Sequence, residues 1–348
     1  MKRGKVTRVT DDCQPAQYSE GHILPHWFDD RSESCPANKG GRMQIKNCVI
    51  VVLRTLAVCL VFIVCMSVGM ALSGLSRLAS QGLAPQQPAT SDVFAPLVFF
   101  ALCVGVVASY LILRSRWHGW VLAGAMFVGM YGISTVTSQI ESIFFLSNKL
   151  PHGMIRAIFI QGAIGIALFA PLAVLVLGKW RDAEPAAVLA TPEHLRASAI
   201  AWKLSLLVVA FVFLYMFFGY YVAWQNPELR KFYGGPDWPT FFAAMKGNWQ
   251  NSRLIFPLAA FRALLFVGFM YPLIRMLSVG RWESAIASAL FLASWTTALL
   301  LPNPLMPVSV ARSHFWETLA FSLVFGSLLG WLLSAQSREV SQPATATI

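Results

Sequence analysis

Two charged side chains, Glu141 and Arg262, interrupt stretches of this sequence that are otherwise apolar. Glu141 belongs to the polar run SQIES, residues 138–142, which also contains Gln139. Arg262 interrupts the apolar run LAAFRALL. In a membrane-spanning helix such a charge costs about 2.5–3.5 kcal/mol at the bilayer centre by insertion scales, so it calls for a partner or a function. An ion pair between Glu141 and Arg262 is the simplest arrangement that satisfies both charges.

Each of these residues also has a functional alternative. Glu141, with Gln139 beside it, has the chemistry of a site for a proton, a cation or the amine of a substrate. Arg262 has the chemistry of an anion site, because a guanidinium offers several donors to a carboxylate or a phosphate.

A further polar group opens the last apolar stretch and contains Arg312, His314 and Glu317. His314 and Glu317 are three residues apart, so they share one face of a helix. Ser313 is suited to be the N-cap, and Glu317 near a helix N-terminus interacts favourably with the helix dipole. An HxxE pair also supplies two metal ligands, but a zinc site needs a third and a fourth. We therefore predict no metal and no other cofactor.

An aromatic and polar segment, residues 220–236, follows the fifth apolar stretch. Residues 237–249 then predict a short helix, with Asp237 as its cap and Pro239 in its first turn. This helix has an apolar side, so it either lies on the bilayer surface or covers an outward-facing cavity. The candidate binding residues of the segment are Trp224, Gln225, Asn226 and Arg230.

Eight apolar stretches must position these residues, each of about the 20 residues that a helix needs to cross a bilayer. Charged residues make up only 12% of the chain, against about 25% in soluble domains. The sequence therefore predicts an all-α, polytopic membrane helix bundle with about eight transmembrane helices. The predicted ranges are 48–75, 93–113, 119–145, 154–178, 200–223, 254–277, 283–301 and 315–334.

Small residues at four-residue spacing indicate where these helices pack closely, because they let two backbones approach each other. The last helix contains Ser322, Gly326 and Gly330, and the third contains Ala125 and Gly129.

The distribution of Lys and Arg predicts how the bundle is oriented. The loops that contain Arg114, Lys179 and Arg275 hold more basic residues than the alternate short loops, so the positive-inside rule assigns them to the cytoplasm. Both termini then lie in the cytoplasm, and residues 224–253 face outward. The net charge of +11 is scattered over short loops. This pattern favours membrane lipids, and not nucleic acid, as partners.

Residues 1–42 are polar and have no helical period. We interpret them either as a disordered cytoplasmic tail or as residues that precede the true translation start at Met43, the start at Met1 being mis-assigned. The codons of Lys39, Gly40 and Gly41 can spell a ribosome-binding sequence, which favours Met43. The predicted organisation is thus a tail or mis-assigned start over 1–42, a transmembrane domain over 43–334 with an outer segment over 224–253, and a cytoplasmic tail over 335–348.

Two stretches, YYVAWQNPELRKFYGG at 220–235 and LPNPLMP at 301–307 followed by RSHFWE at 312–317, resemble segments of bacterial multi-spanning membrane proteins without an assigned activity. The resemblance covers these two loops and their flanking helices. It implies a bacterial origin and a multi-pass location in the inner membrane.

We expect a single polar site on the outward side of the bundle. Its members are Glu141, Arg262, the group at 312–317 and the aromatic segment at 220–236. We expect this site to bind a small solute, an ion or a lipid headgroup, for transport. One alternative is an intramembrane enzyme acting on lipid or envelope precursors, with Glu141 and His314 as its acid/base pair. The other is a non-catalytic membrane subunit, as a homo-oligomer or with a partner protein.

Overall fold

The computed structural model describes residues 40–81, 90–146, 150–181, 197–234, 239–303 and 306–334, and their regular structure is helical throughout. The helices are α1 (Gly40–Ser73), α2 (Leu75–Gln81), α3 (Thr90–Leu113), α4 (Gly119–Tyr131), α5 (Thr137–Leu146), α6 (Met154–Val176), α7 (Ala197–Tyr221), α8 (Pro227–Tyr233), α9 (Phe241–Asn251), α10 (Ile255–Met276), α11 (Arg281–Thr296) and α12 (Val308–Leu333).

The predicted polytopic bundle is confirmed, since eight segments of the described chain are long and apolar enough to cross a membrane. They are Cys48–Ser73, Val93–Leu113, Gly119–Phe145, Met154–Val176, Ile200–Gln225, Ile255–Met276, Arg281–Leu300 and Val308–Leu333. The chain divides by internal contacts after Lys46, and the eight segments all belong to the unit 47–348. The predicted tails at 1–42 and 335–348 lie outside the described residues, except that α1 begins at Gly40.

Two predicted helix boundaries are wrong. The last helix begins at Val308 and not at residue 315, because Pro307 has extended backbone angles and the chain becomes helical directly after it. Ser313 is therefore inside α12 and does not cap it. The short helix α9 begins at Phe241, so Pro239 precedes its first turn, whereas the predicted cap Asp237 lies outside the described residues.

The third membrane segment is a single path made of α4, a π-helical turn at Gly132–Val136, and α5. The hydroxyl of Thr137 donates to the carbonyl of Ile133 at 2.8 Å at this turn. A π-turn inserts one extra residue and rotates the helix that follows it, and such turns often accompany functional sites. It therefore determines the direction in which the polar residues of α5 point.

The membrane helices pack in a ring. Along this ring, α6 packs on α4, α4 on α10, α10 on α7, α7 on α12, α12 on α11, and α11 on α3. Helix α1 closes the ring, because Cys59 meets Gly105 of α3 and Met66 meets Gly165 of α6. Its buried Phe62 makes edge-on ring contacts with Phe100, Phe169 and Trp295.

The two predicted stripes of small residues are packing surfaces. A Cβ atom at Gly326 would clash with the backbone of Ala289, and one at Gly330 would clash with the carbonyl of Ser284, so α12 and α11 are in backbone contact. Gly129 meets the side chain of Leu273 on α10 in the same way. Close approach of this kind is how helices associate in a bilayer, where the lipid tails are as apolar as the side chains.

At one end of the ring, basic side chains bind the carbonyl groups at helix C-termini. This is the basic end, where α3, α6, α10 and α12 finish. The donor–acceptor distances are Arg54 Nη1 to Leu177 O 3.4 Å, Lys179 Nζ to Ser115 O 2.9 Å, Lys203 Nζ to Leu332 O 2.8 Å and Arg116 Nη2 to Arg275 O 2.9 Å. Cations at these positions satisfy unpaired carbonyls and oppose the helix dipoles.

We expect the substitution Gly326→Ala to reduce the free energy of unfolding by about 1–3 kcal/mol, because the added methyl group forces α12 away from α11. Gly268→Ala is the matched control, since Gly268 is exposed on α10 with no atom within 4 Å of the added Cβ. It should be neutral or stabilise the helix by up to about 1 kcal/mol. Equilibrium unfolding in mixed micelles measures both, and equal effects would contradict the packing described.

Candidate functional site

Five helices, α5, α7, α8, α10 and α12, bring polar side chains together at the end opposite to the basic end. This is the site end, where α5 and α7 finish and α10 and α12 begin. With a rise of about 1.5 Å per residue, Glu141, Tyr215, Arg262 and His314 each lie about 8–10 Å from the end of their helix. The polar cluster consists of Glu141, Tyr215, Tyr233, Arg262, His314 and Glu317.

The predicted ion pair between Glu141 and Arg262 is present. Arg262 Nη2 lies 2.7 Å from Glu141 Oε2, and the two side chains are 9% and 37% exposed. The other carboxylate oxygen of Glu141 accepts a hydrogen bond of 2.9 Å from the Tyr215 hydroxyl. The Arg262 guanidinium also lies 5.4 Å from the ring centre of Tyr215 and 6.0 Å from that of Phe211. A cation over aromatic faces in a desolvated place is further stabilised by the rings.

Most of the donors of Arg262 nevertheless lack an acceptor. Its Nε and Nη1 atoms are inaccessible to solvent, and no described residue accepts a hydrogen bond from either. A buried donor without a partner costs about 1–3 kcal/mol, and more when it is charged. Arg262 is thus a buried cation with one carboxylate partner and free hydrogen-bonding capacity.

The second half of the cluster is a hydrogen-bonded chain that runs from α12 to α8. His314 Nδ1 lies 2.8 Å from Glu317 Oε2, and His314 Nε2 lies 3.1 Å from the Tyr233 hydroxyl. The expectation that His314 and Glu317 share a helix face is therefore confirmed. Glu317 Oε1 lies beside Gly219 of α7, where an added Cβ would sit 3.3 Å from it.

Helix α8 is attached to the first turns of α12 by side chains of the predicted aromatic segment. The side-chain oxygen of Asn226 caps α8 by accepting from the amide of Glu228, and its nitrogen donates to the Ser313 hydroxyl at 2.9 Å. The Ser309 hydroxyl donates to the Glu228 carboxylate. Leu229 is buried against Val310. These contacts hold Tyr233 at the end of α8 against His314.

The two halves of the cluster act on each other electrostatically. Burial holds the pKa of the Tyr233 hydroxyl well above its ordinary value, and the nearby carboxylates of Glu141 and Glu317 raise it further. Tyr233 is therefore a neutral hydrogen-bonding group at any physiological pH. The cluster contains two carboxylates and one guanidinium, so its net charge depends on whether His314 carries a proton.

Several predicted site residues lie outside the cluster. Arg312 is exposed, because it is two residues from His314 and so points to another side of α12. Gln139 is likewise two residues from Glu141; it is buried, and its Oε1 has no partner among the described residues. Gln225 and Arg230 bond to local backbone, since Gln225 donates to Tyr220 O at 3.1 Å and Arg230 donates to Trp224 O at 2.7 Å.

The longer α12 also changes how the group of Arg312, Ser313, His314 and Glu317 is interpreted. Glu317 lies nine residues inside the helix, so the helix dipole at the N-terminus does not explain it. The Ser313 hydroxyl donates to the carbonyl of Ser309, one turn back, at 3.1 Å, as serine does inside a helix. Over the described part of the chain, no third His, Cys, Asp or Glu joins His314 and Glu317 in a metal-binding group.

Tyr215 and Tyr233 are the members of the cluster that sequence reasoning missed. Both belong to stretches dense in aromatic residues, so nothing in their type or spacing separates them from neighbours such as Tyr220 and Tyr221. Tyr215 follows Phe211 by one helical turn and stacks on it, with ring centres 6.3 Å apart. That spacing alone is typical of apolar packing.

A cavity of about 30 Å³ lies at the basic end between Arg116, Arg275 and Ser334. A surface depression lies around residues 150–156. Neither is lined by a residue of the cluster, in which Arg262 is buried and the side chain of Glu141 is 37% exposed.

Comparisons with known proteins identify no relative of this chain, since no family model, no curated protein and no solved structure matches it.

A double-mutant cycle tests the ion pair. Glu141→Gln should destabilise the bundle more than Arg262→Met, because it leaves a buried guanidinium without its counter-charge. The double variant should recover about 1–2 kcal/mol relative to the sum of the single effects, a modest value because Glu141 is partly exposed. Urea unfolding in detergent measures the cycle.

Arg312→Gln combined with Glu141→Gln is the control, and the effects of these two substitutions on the free energy of unfolding should be additive. Additivity in the Arg262 cycle as well would contradict the pairing.

Proposed function

We propose that this chain is a bacterial inner-membrane protein that binds the anionic group of a small solute at Arg262 during transport. The observation that carries the proposal is the buried guanidinium of Arg262, whose Nε and Nη1 have no acceptor among the described residues. A carboxylate or phosphate supplies the oxygen acceptors that these donors lack. Polar groups that converge inside an otherwise apolar bundle support a binding site in the same way.

The surroundings of Arg262 also support binding of an anion. A guanidinium that neutralises Glu141 alone would need only one of its nitrogen atoms, as it does here at 2.7 Å. Arg262 is buried, and the rings of Phe211 and Tyr215 lie beside it. An electrostatic interaction in such a low-dielectric place is stronger than in water. An anion held there gains from charge and from several hydrogen bonds at once.

Helix α8 is the element that we propose moves when the solute enters. It ends at Tyr233, which bonds to His314, and its contacts to α12 include those of Asn226 and Leu229 and the Ser309–Glu228 hydrogen bond. This short helix lies beside the cluster, which is the position of a lid. Lids of this kind close polar sites against water in many binding proteins.

The two alternatives receive less support. An intramembrane enzyme with Glu141 and His314 as its acid and base needs a nitrogen of His314 that faces a substrate, but both nitrogens already bond to Glu317 and Tyr233. A purely structural subunit accounts for the Glu141–Arg262 pair but not for the donors of Arg262 that remain.

We expect small anions to stabilise the full-length protein in detergent, by about 2.7 kcal/mol at one hundred times the dissociation constant. The probes are acetate, sulfate, phosphate, amino acids and nucleotides. A thermal-shift assay measures the stabilisation that each of them causes. Arg262→Met should abolish the effect. Arg312→Gln, which removes an exposed charge at the same end of the bundle, should retain it. An anion that stabilises wild type and Arg262→Met equally would contradict the proposal, as would a lack of response to every probe.

The orientation has its own test, since an outward-facing site is part of the proposal. In a variant whose native cysteines are replaced by serine, Asn303→Cys marks the site end and Ser278→Cys marks the basic end; both positions are exposed. An impermeant maleimide should label Asn303→Cys in intact bacterial cells and Ser278→Cys only after lysis. The reverse pattern would invert the orientation.

A further inference from the structure

The polar cluster holds more negative than positive charge. Its fixed charges are the carboxylates of Glu141 and Glu317 and the guanidinium of Arg262. The other titratable groups of the cluster are two phenols, Tyr233 of α8, which bonds to His314, and Tyr215 of α7, which bonds to Glu141. With His314 neutral the cluster therefore has a net charge of −1, and with His314 protonated it is neutral.

A bound anion makes this imbalance larger. A singly charged anion such as acetate at Arg262 brings the net charge of the cluster and its ligand to −2 when His314 is neutral. Like charges enclosed in a low-dielectric bundle repel each other strongly. One proton on His314 restores the value to −1, which is the charge of the empty cluster.

We propose that each anion bound at Arg262 is accompanied by one proton taken up by the His314–Glu317 pair, so that the solute and the proton are co-substrates of the same site. This inference rests on the proposed function, because it names the ion that accompanies the solute. It is carried by the contacts of His314 with the Glu317 carboxylate and the Tyr233 hydroxyl, and by the donors of Arg262 that have no acceptor among the described residues.

The geometry assigns the atom that receives the proton. In neutral His314, Nδ1–H donates to Glu317 at 2.8 Å, so Nε2 has the lone pair and accepts from the Tyr233 hydroxyl at 3.1 Å. Uptake forms a new N–H bond at Nε2, and the proton comes from solvent. This N–H then donates to the phenol oxygen of Tyr233, whose own hydrogen turns away to another acceptor. No other bond is made or broken.

Tyr233 takes part in this step as a hydrogen-bonding partner and does not supply the proton. Burial and the carboxylates of Glu141 and Glu317 hold the pKa of its hydroxyl far above the physiological range. Because Tyr233 ends α8, the reversal of its hydrogen bond reaches the element that closes the site.

The expected consequence is a reciprocal effect on affinity. If the anion strengthens proton binding, the proton strengthens anion binding by the same factor. The apparent dissociation constant should therefore rise as the pH rises, by up to about tenfold per pH unit between the pKa values of the free and the anion-bound site. Acetate and sulfate are suitable probes, because neither titrates above about pH 6.

The test measures acetate and sulfate affinities of the full-length protein between pH 6 and pH 8.5. Titration calorimetry in two buffers of different ionisation enthalpy counts the protons taken up. Wild type should take up close to one proton per anion where the affinity changes with pH. His314→Gln should still bind the anion but with no pH dependence and no proton uptake. Arg312→Gln should behave as wild type.

Two outcomes separate the inference from the function on which it rests. Failure of acetate and sulfate to bind wild type at any pH would overturn both. Binding that needs Arg262 but is independent of pH would overturn only the coupled proton. Retention of the pH dependence in His314→Gln would also overturn it, because the proton would then go elsewhere. If His314→Gln does not fold, Glu317→Gln serves instead, since it removes the negative charge that the proton offsets and should reduce the uptake.

Discussion

The buried positive charge of Arg262 is the constraint on which the site end of this bundle depends. A guanidinium at this depth needs an anion, and the carboxylate of Glu141 supplies it at 2.7 Å. That carboxylate needs a donor for its second oxygen, and Tyr215 of α7 supplies it. One charge on α10 therefore determines which faces α5 and α7 present to the interior. The π-turn before α5 turns Glu141 toward it.

The two ends of the bundle are held by different chemistry. At the basic end, Lys and Arg side chains donate to helix carbonyls. At the site end, the contacts pass through a histidine, two carboxylates and two phenols. Histidine is the side chain whose ordinary pKa lies nearest physiological pH, so this second set contains a group suited to respond to protons.

Sequence was sufficient for the membrane segments because a bilayer forces every spanning segment to be long, apolar and helical. It also predicted the Glu141–Arg262 pair, because two unlike charges at similar depth have few other partners. It did not predict the start of α12, where Pro307 and not Ser313 marks the boundary. Nor did it predict Tyr215 and Tyr233, because a phenol in an aromatic-rich stretch reveals its hydrogen bond only when the neighbouring helix is known.

A structural ion pair and a binding site can be distinguished by how completely the charges are satisfied. Replacing a buried pair by apolar residues is often neutral or stabilising, so stability alone does not account for such a pair. Glu141 is well satisfied, since Arg262 and Tyr215 bond to its two oxygens. Arg262 is not, because Nε and Nη1 have no acceptor in the described chain. Glu141 is thus satisfied and Arg262 is not, and this asymmetry is the observation that supports the proposed anion site.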